Sequence, residues 1–188
     1  MGNDADEIRN WWSTSIIDMS PGKISFRGNE IENLIGNISF PQMIWMMVRG
    51  GLPTNEEASL FEAALVAGVD HGPQAPSIAA ARMAATCGVG INNAMATGIN
   101  MLGDIHGGAG EQCAELFYEI SLRIDNGATF EKAIQEALRE WESGNGKIIS
   151  GFGHRFHKPI DPRAPRLLEL VRLAAKENIV SGKYADIA

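Results

Sequence analysis

The sequence is poor in cysteine. Only Cys87 and Cys113 occur in 188 residues, which excludes a disulfide framework, and their spacing matches no zinc motif. Both fall inside apolar helical patterns, so they read as buried free thiols in a reducing cytosol. Positive charge is also scarce overall. A net charge of −7 excludes a broad surface for nucleic acid or anionic membrane, so any anion site has to be a local concentration of cations. No apolar run reaches the roughly 20 residues of a membrane span. The first residues, Met1 to Glu7, are polar and acidic and lack the basic start and apolar core of a secretory signal, which points to a cytoplasmic protein. Internal repeats, heptads and Gly/Ser linkers are missing too.

What is present is apolar content at helical spacing, 45% of the residues, enough to fill a core. Ser20-Pro21-Gly22-Lys23 is a turn signal ahead of Ile24-Ser25-Phe26-Arg27, which alternates like a short strand closed by Gly28. Asn29 to Ile35 suits a short helix. Ser39 with Gln42, and Thr54 with Glu57, each form a capping-box signature that opens a helix. The first carries Phe40, Met43, Ile44, Met47 and Val48 as its apolar stripe, with the methionines read as core, and ends at Gly50-Gly51. The second buries Leu60, Phe61, Ala64, Leu65 and Gly68. Two Ala- and Gly-rich segments, Ser77 to Thr86 and Asn92 to Leu102, let helices approach closely and suggest deep packing or a helix interface. Cys113, Leu116, Phe117, Ile120 and Ile124 mark a helix that ends at Asn126-Gly127. Thr129 caps another, with Phe130, Ala133, Ile134, Ala137, Leu138 and Trp141 on its face, and Leu167, Leu168, Val171 and Ala174 mark a last one after Pro165. The pattern predicts an all-α fold of about seven helices with at most a short N-terminal β-hairpin. Near Gly107 Ala-rich packing gives way to more charged amphipathic helices. This predicts a large core region over residues 1–106 and part of a small, mobile lobe over 107–188.

The breaks between helices hold the chemistry. His71, His106 and His154 each lie at such a break beside glycine, 35 and 48 residues apart, where a helical scaffold commonly presents functional groups. The richest break is Gly151-Phe152-Gly153-His154-Arg155-Phe156-His157-Lys158, followed by Asp161-Pro162-Arg163. Its glycines free the backbone beside an imidazole, and Arg155, Lys158 and Arg163 concentrate positive charge in an otherwise acidic chain, which suits an anionic ligand. A helix cap followed by a solvated basic turn is the plain alternative. A three-histidine metal site lacks the His-x-x-x-His or His-Glu-x-x-His spacing, and no metal is expected. The Gly-Lys-Ser/Thr ending of a P-loop and any nucleophile elbow are absent from the sequence as well.

Taken together these stretches resemble the citrate synthase superfamily, and within it the citryl-CoA lyase branch. The resemblance runs over nearly the whole chain. Pro21-Gly22-x-Ile24-x-Phe26-Arg27-Gly28-x-x-Ile31-x-x-Leu34-Ile35 looks like the family's N-terminal motif, followed by Ser39-Phe40 and Gly51-Leu52-Pro53-Thr54. Asp70-His71-Gly72-Pro73 looks more like the lyase branch than like ordinary citrate synthases. His106-Gly107-Gly108-Ala109 and the Gly151 to Arg163 stretch complete the set.

The resemblance implies a citrate synthase-like multi-helical fold and catalytic roles for His106 and His154. His106 would hydrogen-bond the thioester carbonyl of acetyl-CoA and stabilise the enol or enolate; His154 would hydrogen-bond the oxaloacetate carbonyl. His71 and Arg163 would hold carboxylates of oxaloacetate or citrate. Gly151, Phe152, Gly153, Arg155 and Lys158 would meet coenzyme A, which serves as substrate thioester with no covalently bound cofactor. The activity implied is cleavage of citryl-CoA to acetyl-CoA and oxaloacetate, by a homodimer or higher homo-oligomer without nucleic acid or membrane partners. The alternatives are citrate synthase-type condensation and a non-catalytic CoA-binding or regulatory relative. One departure stands out. The family's base, an Asp in a Val-Asp-type motif beyond the Gly-His-Arg loop, has no counterpart among Glu169, Glu177 and Asp186. The expectation is either that ~70–80 residues of the parent protein follow, or that this is a shortened relative.

Overall fold

A computed structural model describes residues 3–154 and 156–188. The chain divides into two compact units, Met1–Leu65 and Val66–Ala188. It is helical, with one small sheet near the N-terminus, as the sequence pattern predicts.

The first unit opens with α1 (Asn3–Trp11) and an antiparallel sheet of β1 (Ile17–Ser20), β2 (Lys23–Phe26) and β3 (Asn29–Glu30). Ser20 pairs with Lys23, so Pro21-Gly22 forms the two-residue turn, with Gly22 at φ +80° as a type II-like turn requires. Arg27 and Gly28, both at positive φ, turn the chain into β3. Asn29 and Glu30, read from sequence as the start of a helix, thus form a third strand, and the helix shortens to α2 (Ile31–Leu34). In α3 (Phe40–Arg49) the capping box is complete: Ser39 N–H donates to Gln42 Oε1 at 2.8 Å, and Gln42 N–H donates to Ser39 Oγ at 3.4 Å. The Thr54–Glu57 box opens α4 (Asn55–Ala67) in the same way.

The buried side of α3 differs from the stripe read off the sequence. Pro41 and Met46 face inward, Met46 completely, whereas Phe40 and Val48 are three-quarters exposed. Long-range contacts set this phase. Asn29 Nδ2 approaches Met46 Sδ, Arg27 Nη2 donates to the Met47 carbonyl, and Trp45 meets Phe61 of α4 edge-on at 5.7 Å. On α4 the buried residue is Ala58, while Ala64, Leu65 and Gly68, expected to be inside, are exposed.

In the second unit α5 (Pro76–Thr86) and α6 (Ile91–Ile99) form a tight pair. Small side chains permit it: a Cβ on Gly98 would lie 3.1 Å from the Ser77 carbonyl and 3.3 Å from Ala81 Cβ. Ala94 and Gly98 are buried in that contact, but Met83, Ile91, Met95 and Ile99 are exposed, so these helices present an apolar face and are not deeply packed. Cys87, expected to be buried, is exposed because it sits at the C-cap of α5, where the chain turns away through Gly88.

The core of this unit lies between α7 (Ala109–Asp125) and α8 (Phe130–Asn145). Leu116, Ile120, Ala133 and Ala137 are buried there, with Ile124, Leu138 and Trp141 packed around them. Burying Leu116 and Ile120 contributes about 1.5–3 kcal/mol each. Thr129 Oγ1 accepts from Lys132 N–H and fixes the start of α8. α9 (Arg163–Lys176) begins two residues before Pro165, which a first helical turn tolerates. α10 (Lys183–Ile187) docks on α7, where Lys183 Nζ lies 2.7 Å from Asp125. The terminal helices α1 and α10 add to the set read from the sequence. No helix among the described residues is long and apolar enough to cross a membrane.

Candidate functional site

The loop from Ile148 to Pro162 joins α8 to α9 and is pinned at its start. Trp141 Nε1 donates to the Ile148 carbonyl at 3.0 Å, Ser150 Oγ donates to Gln112 Oε1, and Phe152 meets Phe117 edge-on at 5.9 Å. Gly151 has φ +82° and passes so close to α7 that a Cβ would lie 2.6 Å from Cys113 Cβ, so only glycine fits there without rearrangement. Burial pushes the Cys113 thiol up, which marks it as packing rather than as a nucleophile.

Beyond this anchor the loop curls around His154. Its Nδ1 accepts from the backbone N–H of Phe156 at 3.1 Å and of His157 at 3.2 Å. The ring form that fits both bonds is the neutral tautomer with its proton on Nε2, so His154 presents a hydrogen-bond donor. At the far end of the loop Arg163 is clamped by Asp161. Nη2 lies 2.6 Å from Oδ2, Nε donates to Oδ1 at 2.9 Å, and the Arg163 backbone N–H donates to the same Oδ1. These bonds from the Arg163 side chain and backbone hold the Asp161 carboxyl well below the usual carboxylate range. Arg163 rises correspondingly, mainly through the side-chain bond to Asp161. Nη1 also donates to the Ala67 carbonyl at the end of α4, and the remaining Nη protons are left for a ligand.

His71, His154 and Arg163 line one cleft of about 460 Å³, together with Asp70, Gln74, Phe156 and His157. The first three were separately singled out in the sequence; the fold collects them. His71 is exposed on the loop after α4, where Asp70 Oδ1 accepts from Gly72 N–H and shapes the turn. A larger groove, about 850 Å³, lies on α7 and α10. Among the described residues its walls carry Glu111, Glu115, Glu119 and tyrosines with no imidazole or cation, so it does not suit an anion.

His106 is seated elsewhere. Its Nε2 accepts from Ser77 backbone N–H at 3.2 Å and lies 2.9 Å from Ser77 Oγ, in the first turn of α5. The backbone bond makes Nε2 the acceptor and leaves the neutral ring's proton on Nδ1. His106 does not line the cleft with His154, and neither does Lys158, which is exposed. Gly151, Phe152 and Gly153 form the loop's anchored start, with Gly153 at φ +86°. Arg155 lies outside the described residues.

Three side chains of this region carried no role in the sequence reading: Ser77, Asp161 and His157. Asp161 and His157 stood inside the quoted stretch, and their proximity to Arg163 was the available signal. Nothing local pointed to Ser77. His154, His157 and Asp161 bring ligand atoms within 4.8 Å of one another, the one such trio among the described residues. It is poorly arranged for a cation. Both Asp161 oxygens face Arg163, and His154 Nδ1 faces two backbone donors, so a metal would have to displace these bonds.

Comparison with known proteins places the chain as a whole. The family model for the citrate synthase C-terminal domain matches residues 54–188. A citrate synthase of Deinococcus radiodurans is 34% identical over 139 residues, 73% of this chain and 34% of that protein. The chain thus spans about a third of the length of that curated relative. Citryl-CoA lyase from Hydrogenobacter thermophilus superposes with a TM-score of 0.75 at 30% identity, covering 94% of this chain and 75% of that one. A D541A variant of Methanosaeta concilii ATP citrate lyase in complex with (3S)-citryl-CoA has the same fold, with a TM-score of 0.71 at 19% identity, over 92% of this chain and 28% of that one. With residues 54–188 matched by its model, the chain belongs to the citrate synthase family.

Proposed function

We propose that this protein acts on citryl-CoA, cleaving it to acetyl-CoA and oxaloacetate by retro-Claisen chemistry. The observation that carries the reading is the cleft in which His154 offers an Nε2–H donor beside Arg163 and His71. In the cleavage direction the citryl oxygen accepts from His154 Nε2–H, which stabilises its alkoxide character as the hydroxyl proton passes to solvent, the carbon–carbon bond breaks and the carbonyl of oxaloacetate forms. Arg163 and His71 hold carboxylates, Arg163 through the Nη protons that Asp161 leaves over. His106 stabilises the enolate oxygen of the departing acetyl-CoA through Nδ1–H, its ring held from behind by Ser77. Gly151, Phe152 and Gly153, with Arg155 and Lys158, receive coenzyme A. The likeness to a citryl-CoA lyase over 94% of the chain supports the lyase direction.

Condensation of acetyl-CoA with oxaloacetate is the second reading, favoured by the curated citrate synthases among the relatives. In both, residues 1–106 form the large, dimer-forming region and 107–188 part of the mobile lobe. The exposed apolar face of α5 and α6 supports a homodimer. Steady-state assays with citryl-CoA, and separately with acetyl-CoA plus oxaloacetate, distinguish the readings. Release of acetyl-CoA as the main product supports the lyase; hydrolysis of citryl-CoA to free citrate would count against it.

A further inference from the structure

Among the described residues, the fixed charges of the cleft do not favour an anion by themselves. The Arg163 guanidinium is already matched by Asp161, and Asp70 places a carboxylate in the lining. A ligand with several carboxylates needs further positive charge, and the imidazoles of the lining can supply it. His154 is committed as a neutral donor by the two backbone N–H groups on its Nδ1. His157 is placed differently. Its exposed ring lies over that of His154, with centroids 4.5 Å apart and planes inclined by 33°, and it lines the same cleft. Asp161 is near enough to feel it.

Building on the oxo-acid reading of this site, we propose that His157 is a further substrate-binding residue, whose protonated imidazole supplies the cation that a ligand carboxylate requires in this cleft. The charged and titratable groups about it are Asp161, which pairs with Arg163, and Asp70, His71, His154 and Arg163 of the cleft lining. A bound carboxylate adds a further negative charge, so binding takes up a proton and tightens as pH falls through the imidazole range.

The test is calorimetric titration with oxaloacetate, a dianion across the range used, at pH 8.0, 7.0 and 6.0. Wild type, His157→Phe, His71→Gln and Arg163→Leu are compared, the phenylalanine keeping the ring stack without the charge. The wild-type Kd is expected to fall about tenfold between pH 8.0 and 6.0, and in His157→Phe this ratio is expected to shrink to within about twofold. Retention of the full pH dependence in His157→Phe, or its loss in His71→Gln alone, overturns the proposal. If Arg163→Leu weakens binding while His157→Phe matches wild type, only the role of His157 fails. If oxaloacetate does not bind wild type at any pH, the oxo-acid reading fails and the proposal with it.

Discussion

Asp161 grips Arg163 side-on: Oδ2 accepts from Nη2 at 2.6 Å and Oδ1 from Nε at 2.9 Å, across a single intervening proline. Oδ1 also accepts the Arg163 backbone N–H, so one carboxylate holds both the backbone of the first residue of α9 and its guanidinium. Because the folded state holds Asp161 ionised, its carboxyl titrates below that of an unfolded chain. The stabilisation is therefore fully present above the ordinary aspartate range, about pH 4. It is lost only as pH falls through the depressed folded value. Carboxyl ¹³C NMR should find Asp161 still ionised at pH 3 while circular dichroism reports a folded chain. A midpoint near 3.9 in the folded protein would show that the clamp does not exist in solution.

His106 and Ser77 supply a second test. Removing the imidazole removes a donor that acts mainly where charge develops, so His106→Ala should lower turnover by about 10²–10³. CoA affinity should change little. Ser77→Ala keeps the backbone N–H on Nε2 and loses only the hydroxyl contact, so its effect should be smaller, roughly fivefold for a net hydrogen bond of about 1 kcal/mol. Equal losses of turnover and CoA affinity in His106→Ala would contradict the enolate-stabilising role.

Local signals carried the sequence reading furthest. Both capping boxes and the Thr129 cap form as read, because each needs only residues three apart along the chain. The α7–α8 core was equally legible, since its apolar positions recur at helical spacing. The phase of α3 was not. Contacts from Asn29 and Arg27, about twenty residues upstream, turn Met46 inward and leave Phe40 and Val48 outside. The third strand was missed because two residues, Asn29 and Glu30, carry no periodicity. At the site, the individual histidines and the basic loop were visible as breaks beside glycine. That His71, His154 and Arg163 share one cleft is a consequence of the fold, which no spacing along the chain encodes. Ser77 lay 29 residues from His106 within an Ala-rich run that gave it no distinction.

The apolar face of α5 and α6 leads to a prediction about assembly. Ile91, Met95 and Ile99 recur every four residues and are each more than half exposed. Sedimentation velocity should show a dimer, and Met95→Glu with Ile99→Lys should shift it to monomer while leaving helical content unchanged. A wild-type protein that sediments only as monomer at tens of micromolar would remove the dimer reading.

Gly151 and Gly153 form a matched pair for testing how the loop is anchored. Both have positive φ, +82° and +86°, so alanine at either position incurs the left-handed penalty of about 1–2 kcal/mol. Their surroundings differ. Among the described residues a Cβ on Gly153 meets nothing within 4 Å, whereas one on Gly151 would overlap Cys113 Cβ at 2.6 Å and Sγ at 2.9 Å. Relieving that overlap must lift the loop from α7 or shift Cys113, whose helix carries the buried Leu116 one turn on. Gly151→Ala should therefore be less stable than Gly153→Ala by about 1–3 kcal/mol in urea denaturation, the usual range for overpacking. It should also make the Cys113 thiol react faster with a thiol probe, because loop and helix no longer close over it. Cys87, already exposed, serves as the internal reference and should react at an unchanged rate. Equal stability of the two variants, with Cys113 no more reactive than in wild type, would mean that the loop does not rest on α7 and that His154 is positioned by other contacts.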